Sequence, residues 1–120
     1  MREILFRGKR VDNGEWIYGD LIRDDDVYIL QKGLICREII PESVGEYIGL
    51  KDKNGNKVFE GDIIKGRYSY FDYIGYVEYG DCGFWSIIEK GWHSDFEALD
   101  VKTMEVIGNV HDNPELLKEI

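Results

Sequence analysis

At 120 residues the chain is long enough for one ordinary domain, or for a barrel with a small appended lobe. A hydrophobic share of 43% with 13% aromatics excludes a disordered chain, and no apolar run approaches the roughly 20 residues that span a bilayer. The net charge of −9 repels phosphate backbones and argues against direct nucleic-acid binding.

The chain opens on the apolar cluster Ile4-Leu5-Phe6 and runs into the basic patch Arg7-Gly8-Lys9-Arg10. Glu3, Leu5 and Arg7 alternate with Ile4 and Phe6, which predicts a half-buried strand. No basic leader followed by an apolar stretch is found here, so a cytoplasmic protein is expected. A pattern then begins that returns later. Asn13-Gly14 leads through Trp16-Ile17-Tyr18 to Gly19-Asp20-Leu21-Ile22, and Asn54-Gly55 leads through Val58-Phe59 to Gly61-Asp62-Ile63-Ile64. Asn-Gly tolerates the positive φ angles of a type I′ hairpin turn. Each copy therefore predicts a hairpin turn, a short strand, a tight Gly-Asp turn and a new strand.

Between the copies, the acidic tip Asp24-Asp25-Asp26 joins Leu21-Ile22 to a strand through Val27-Tyr28-Ile29-Leu30. Residues 35–40 form another apolar stretch, ended by Pro41, which starts a predicted helical turn at its first position. Tyr47-Ile48-Gly49-Leu50 follows, and then the charged loop Lys51-Asp52-Lys53. Residues 58–88 hold short strands with Gly-rich turns, the spacing of a small barrel or sandwich. Residues 105–110 read as a last strand. Asn113-Pro114-Glu115 then supplies a cap, a Pro at the first helical position and an acid in the first turn, so a short helix closes the chain.

Few residues invite chemistry. Asp20 and Asp62 follow Gly at predicted turns, where a carboxylate bonds nearby backbone N–H groups, so both are read as structural. Trp92-His93-Ser94-Asp95 holds a base, a hydroxyl and an acid, but strand neighbours point to opposite faces and cannot form a triad. Cys36, Cys82, His93 and His111 lack the short ligand spacing of a zinc site; no metal is expected, and the cysteines are read as buried or half-buried free thiols. Asp24-Asp25-Asp26 lacks the alternation and closing Glu of a calcium loop and is read as a solvated tip. No Gly-rich phosphate loop, nucleophile elbow or carboxylate pair is evident, so neither a catalytic residue nor a cofactor is assigned. The aromatic stretch from Tyr68 to Trp85 is read mostly as core. Tyr68, Tyr70, Tyr73 and Trp85 are its candidates for a protein contact.

Several segments resemble the YopX family of phage and prophage proteins: Arg2-Glu3-Ile4-Leu5-Phe6-Arg7-Gly8-Lys9, then Gly14-Glu15-Trp16-Ile17-Tyr18-Gly19-Asp20-Leu21. Val44-Gly45-Glu46-Tyr47-Ile48-Gly49-Leu50-Lys51-Asp52-Lys53-Asn54-Gly55, the segment from Val58 to Ile64 and the ending from Glu105 to Leu117 continue it in order. Ile48 departs from it, since the family often carries Thr there. The resemblance implies a mainly β protein whose C-terminal part looks like an SH3-type barrel. The expected division is an N-terminal antiparallel hairpin lobe over residues 1–50 and an SH3-like barrel with a terminal helix over residues 51–120, or one compact unit of both. It carries over no catalytic residue. The expected function is that of a non-enzymatic accessory protein in a bacterial host cell, binding a protein partner or itself. Its rivals are an acidic nucleic-acid mimic acting on a host protein, and a small hydrolase-like enzyme with His93 or His111 as base.

Overall fold

The computed structural model describes residues 4–68, 71–79, 85–89, 92–95 and 100–118, with the side chains of 68, 71, 79, 85–102 and 118 outside that description. The chain divides into two compact units, Met1–Tyr47 and Ile48–Ile120.

The first unit holds β1 (Phe6–Lys9), β2 (Trp16–Asp24), β3 (Val27–Lys32), β4 (Ile35–Ile39), a 3-10 turn (Pro41–Ser43) and the start of β5 (Gly45–Lys51). The strands lie in the order β4-β3-β2-β1-β5, all antiparallel. β2 is uninterrupted, which corrects the turn expected at Gly19 and Asp20. Its first half pairs with β1, from Lys9 opposite Trp16 to Phe6 opposite Gly19. Its second half pairs with β3, starting from Asp20 opposite Gln31. Gly19 sits where the partners change. A Cβ there would stand 2.4 Å from the Gln31 carbonyl oxygen, so glycine serves a close backbone approach and not a turn.

The end of β4 returns to β1. Arg10 and Ile39 form a bridge, flanked by Ile40 N–H donating to the Lys9 carbonyl at 2.8 Å and Val11 N–H donating to the Glu38 carbonyl at 3.1 Å. Buried Ser43 adds a stitch: its hydroxyl accepts from Lys9 N–H at 2.8 Å and donates to the Ile40 carbonyl at 2.6 Å. Leu30 and Ile39 are the buried aliphatics of this unit.

The Asn-Gly loops are not type I′ turns. Gly14 and Gly55 adopt positive φ, at 73° and 84°, whereas Asn13 and Asn54 do not. The first loop closes with Arg10 N–H on the Glu15 carbonyl, while Asn13 Oδ1 accepts from Glu15 N–H at 2.9 Å. In the second, the organiser is Asp52, which sequence reasoning passed over as part of a charged loop. Its carboxylate is buried and accepts from the N–H groups of Asn54 (3.0 Å), Asn56 (2.8 Å) and Val106 (3.0 Å).

The second unit continues β5 and adds β6 (Lys57–Phe59) beside it, β7 (Asp62–Tyr68), β8 (Phe71–Tyr79), β9 (Trp85–Glu89), β10 (Trp92–Asp95), β11 (Asp100–Asn109) and the single helical turn α1 (Glu115–Lys118). β7 to β10 form a meander and β11 returns to β7, so the order is β10-β9-β8-β7-β11. Among the described residues no ladder joins β10 to β11. The sheet is open where a closed barrel was expected. Its core is Ile48, Val58, Ile64, Tyr73, Val77 and Met104, and each large apolar side chain fully buried there contributes about 1.5–3 kcal/mol.

Gly61 and Asp62 do form a turn. Gly61 has φ 90°, and Asp62 starts β7 with its carboxylate accepting Phe59 N–H at 2.7 Å. β11 shifts register on β7 twice; beside one shift Thr103 Oγ1 accepts Arg67 N–H at 2.9 Å in place of a backbone oxygen. Near α1, Asn113 Oδ1 accepts from Asn109 N–H at 3.3 Å, so this side chain organises the preceding loop.

Candidate functional site

The sequence-derived contact residues do not come together. Tyr73 is 7% exposed and belongs to the core, because its ring lies over Gly66, where a Cβ would stand 2.6 Å from the phenol oxygen. Tyr68 ends β7 and pairs with Phe71 at the start of β8, so these two aromatics belong to different strands. Tyr70 lies outside the described residues, as does the side chain of Trp85. His111 is exposed, and the side chain of His93 is outside the description. Cys36 is an exposed free thiol, contrary to the buried or half-buried reading, and Cys82 lies outside the described residues. Among the described residues no cluster of three or more His, Cys, Asp or Glu is placed to hold a metal.

Each unit carries one cleft of interest. That of the second unit, about 410 Å³, is lined by Lys65, Gly66, Arg67, Asp72, Tyr73, Ile74 and Thr103. Its cations are engaged: Lys65 Nζ lies 3.3 Å from Glu105 and Arg67 Nε 3.4 Å from Asp72. Little net charge is left to attract a ligand.

The cleft of the first unit, about 390 Å³, differs in this respect. It is lined by Arg10, Trp16, Ile17 and Tyr18 on one side and by Leu30, Lys32, Ile35 and Arg37 on the other. Strand pairing explains it. Pairing of β2 with β3 begins at Asp20 and Gln31, so residues 16–18, paired with β1, and the end of β3, paired with β4, are not laddered to each other and the cleft occupies the gap. Lys32 pairs with Ile35 and Leu30 with Arg37, which puts these four side chains on one face. The Arg7 guanidinium lies 4.7 Å and Lys9 Nζ 5.6 Å from the Trp16 ring centroid, cation–π contacts worth about 0.5–2 kcal/mol each.

The three cations that line the cleft are not equivalent. Arg10 is neutralised by a two-pronged bond to Asp12, at 2.9 and 2.6 Å, which raises the Arg10 pKa and lowers that of Asp12. Lys32 has no ion pair among the described residues, and Arg37 spends one N–H on the Cys36 carbonyl at 2.9 Å. The positive charge at this cleft is therefore that of Lys32 and Arg37. Sequence reasoning found the basic patch from Arg7 to Arg10 but not these two, which only the β3–β4 register brings together.

Fold and cleft define the class: a protein of two antiparallel β units, with a small cationic and aromatic cleft in the first. Among the described residues no helix is long and apolar enough to cross a membrane. The chain belongs to the YopX family, whose model, described as YopX protein, matches residues 5–118. It is similar to the crystal structure of protein EF1440 from Enterococcus faecalis, with a TM-score of 0.60 and 25% sequence identity over 98% of this chain and 99% of that one. A comparison with curated proteins found no match.

Proposed function

We propose that this chain is a non-enzymatic accessory protein of phage or prophage type, acting in the cytoplasm of a bacterial host, and that its first unit binds a protein partner. One observation carries this reading. At the β3–β4 hairpin Leu34 is 103% exposed and Ile35 58%, the latter also lining the cleft. Aliphatic side chains held in water at a hairpin tip beside uncompensated cations form the apolar and polar elements of a protein contact. The similarity to a protein of Enterococcus faecalis supports a bacterial setting. The second unit enters the proposal as an SH3-like barrel opened at one seam, a reading supported by its meander with the last strand returning to the first.

Affinity capture from host lysate, with light scattering of the purified protein, tests the proposal. A captured protein should be lost from the double variant Leu34→Asp/Ile35→Asp and retained by Lys65→Glu in the other cleft. Equal capture by all three proteins would end the reading.

A further inference from the structure

We infer that the first-unit cleft receives an extended peptide segment of the partner that carries acidic residues at alternate positions. This rests on the proposed function and specifies the partner's chemistry.

The register supplies the argument. On the shared face of β3 and β4, Lys32 pairs with Ile35 and Leu30 with Arg37, so the four side chains alternate like a chequerboard. The two cations occupy one diagonal and the two aliphatics the other. Diagonal neighbours on an antiparallel pair lie about 7–8 Å apart. Residues i and i+2 of an extended strand lie about 7 Å apart, at roughly 3.4 Å per residue. Two carboxylates at i and i+2 therefore match Lys32 and Arg37, and the residue between them turns away from this face.

The backbone of β4 is suited to the same occupant. Glu38 directs its carbonyl away from β3, toward Val11 N–H. Alternation along an antiparallel strand then turns the Cys36 N–H and carbonyl outward as well. The Cys36 carbonyl takes only the exposed Arg37 guanidinium. The β4 edge is thus closed by β1 near Ile39 and open around Cys36, so a segment crossing from Lys32 to Arg37 leaves the sheet beside an open backbone N–H. A nucleic-acid strand fits less well. Two uncompensated cations are few against a net charge of −9, and repulsion grows with every further phosphate, whereas two carboxylates present a short and local charge.

The experiment is fluorescence anisotropy with a labelled peptide of alternating Asp and Val. The comparison ligands are its Asn-for-Asp counterpart and an oligodeoxythymidine of similar length. Binding of the acidic peptide should fall about tenfold or more in Lys32→Glu/Arg37→Glu, weaken steeply with salt as exposed charge pairs do, and be unchanged in Lys65→Glu. No binding, equal binding of the neutral peptide, tighter binding of the oligonucleotide, or indifference to the double variant would each overturn the inference. So would salt-sensitive dimerisation that blocks the cleft, since the occupant would then be a second copy, for instance its Asp24-Asp25-Asp26 tip. If the Leu34→Asp/Ile35→Asp variant loses a captured partner while the acidic peptide fails to bind, the inference falls and the proposed function stands. Capture that survives that variant would instead sink the proposed function.

Discussion

Asp52 illustrates how one side chain sets local structure. Burial works to raise its pKa, but the N–H groups of Val106, Asn56 and Asn54 favour the carboxylate, and the net shift is below the ordinary 3.8. The unfolded chain then takes up this proton more readily than the folded one. The stability Asp52 contributes is present above the ordinary carboxylate value and lost as pH falls below about 4. Urea unfolding followed against pH should show an acid-side loss that is smaller in Asp52→Asn. That variant also turns an amide N–H toward one of the donors and should cost about 1–3 kcal/mol at neutral pH. Asp25, at φ 53°, is the one non-glycine residue in the left-handed region among those described. A short polar side chain tolerates this angle, which is why an Asp-rich tip closes the hairpin without glycine.

At the scale of elements, the two Gly-Asp pairs show how one sequence pattern serves two structures. At Gly61 the chain turns, with φ at 90° and Asp62 latching Phe59; at Gly19 the chain runs straight on and changes partner. The difference lies in what approaches: the Gln31 backbone crowds Gly19, and no local sequence signal announces it. Gly19→Ala should therefore destabilise the fold by about 1–3 kcal/mol, the usual cost of overpacking, in denaturant unfolding. Gly14→Ala, with open space around its Cβ position but φ at 73°, should cost no more than about 1–2 kcal/mol.

For the whole molecule, the buried apolar groups of the second unit set its stability. Met104, fully buried among Ile48, Val58, Ile64, Tyr73 and Val77, should cost about 2–5 kcal/mol on replacement by Ala, read as a lower thermal midpoint. Much of the architecture was legible beforehand. The strands around Phe6, Val27, Ile35, Tyr47, Ile63 and Ile74, the helical turn at Pro41 and the terminal turn after Pro114 all follow from alternation and local backbone preference. The site was far less legible. Tyr73 read as a contact aromatic and is core, because a glycine 7 residues earlier in the chain lies under its ring.

The sequence by itself determined the mainly β character of the chain and most of its strands, because φ preferences and side-chain alternation act between near neighbours. The tertiary structure decided which glycine turns and which admits a passing strand, that the second sheet stays open, and that Lys32 and Arg37 share a face with Leu30 and Ile35. Those outcomes depend on register and on backbone approach between segments distant in sequence. Such distances are set only when the strands pack.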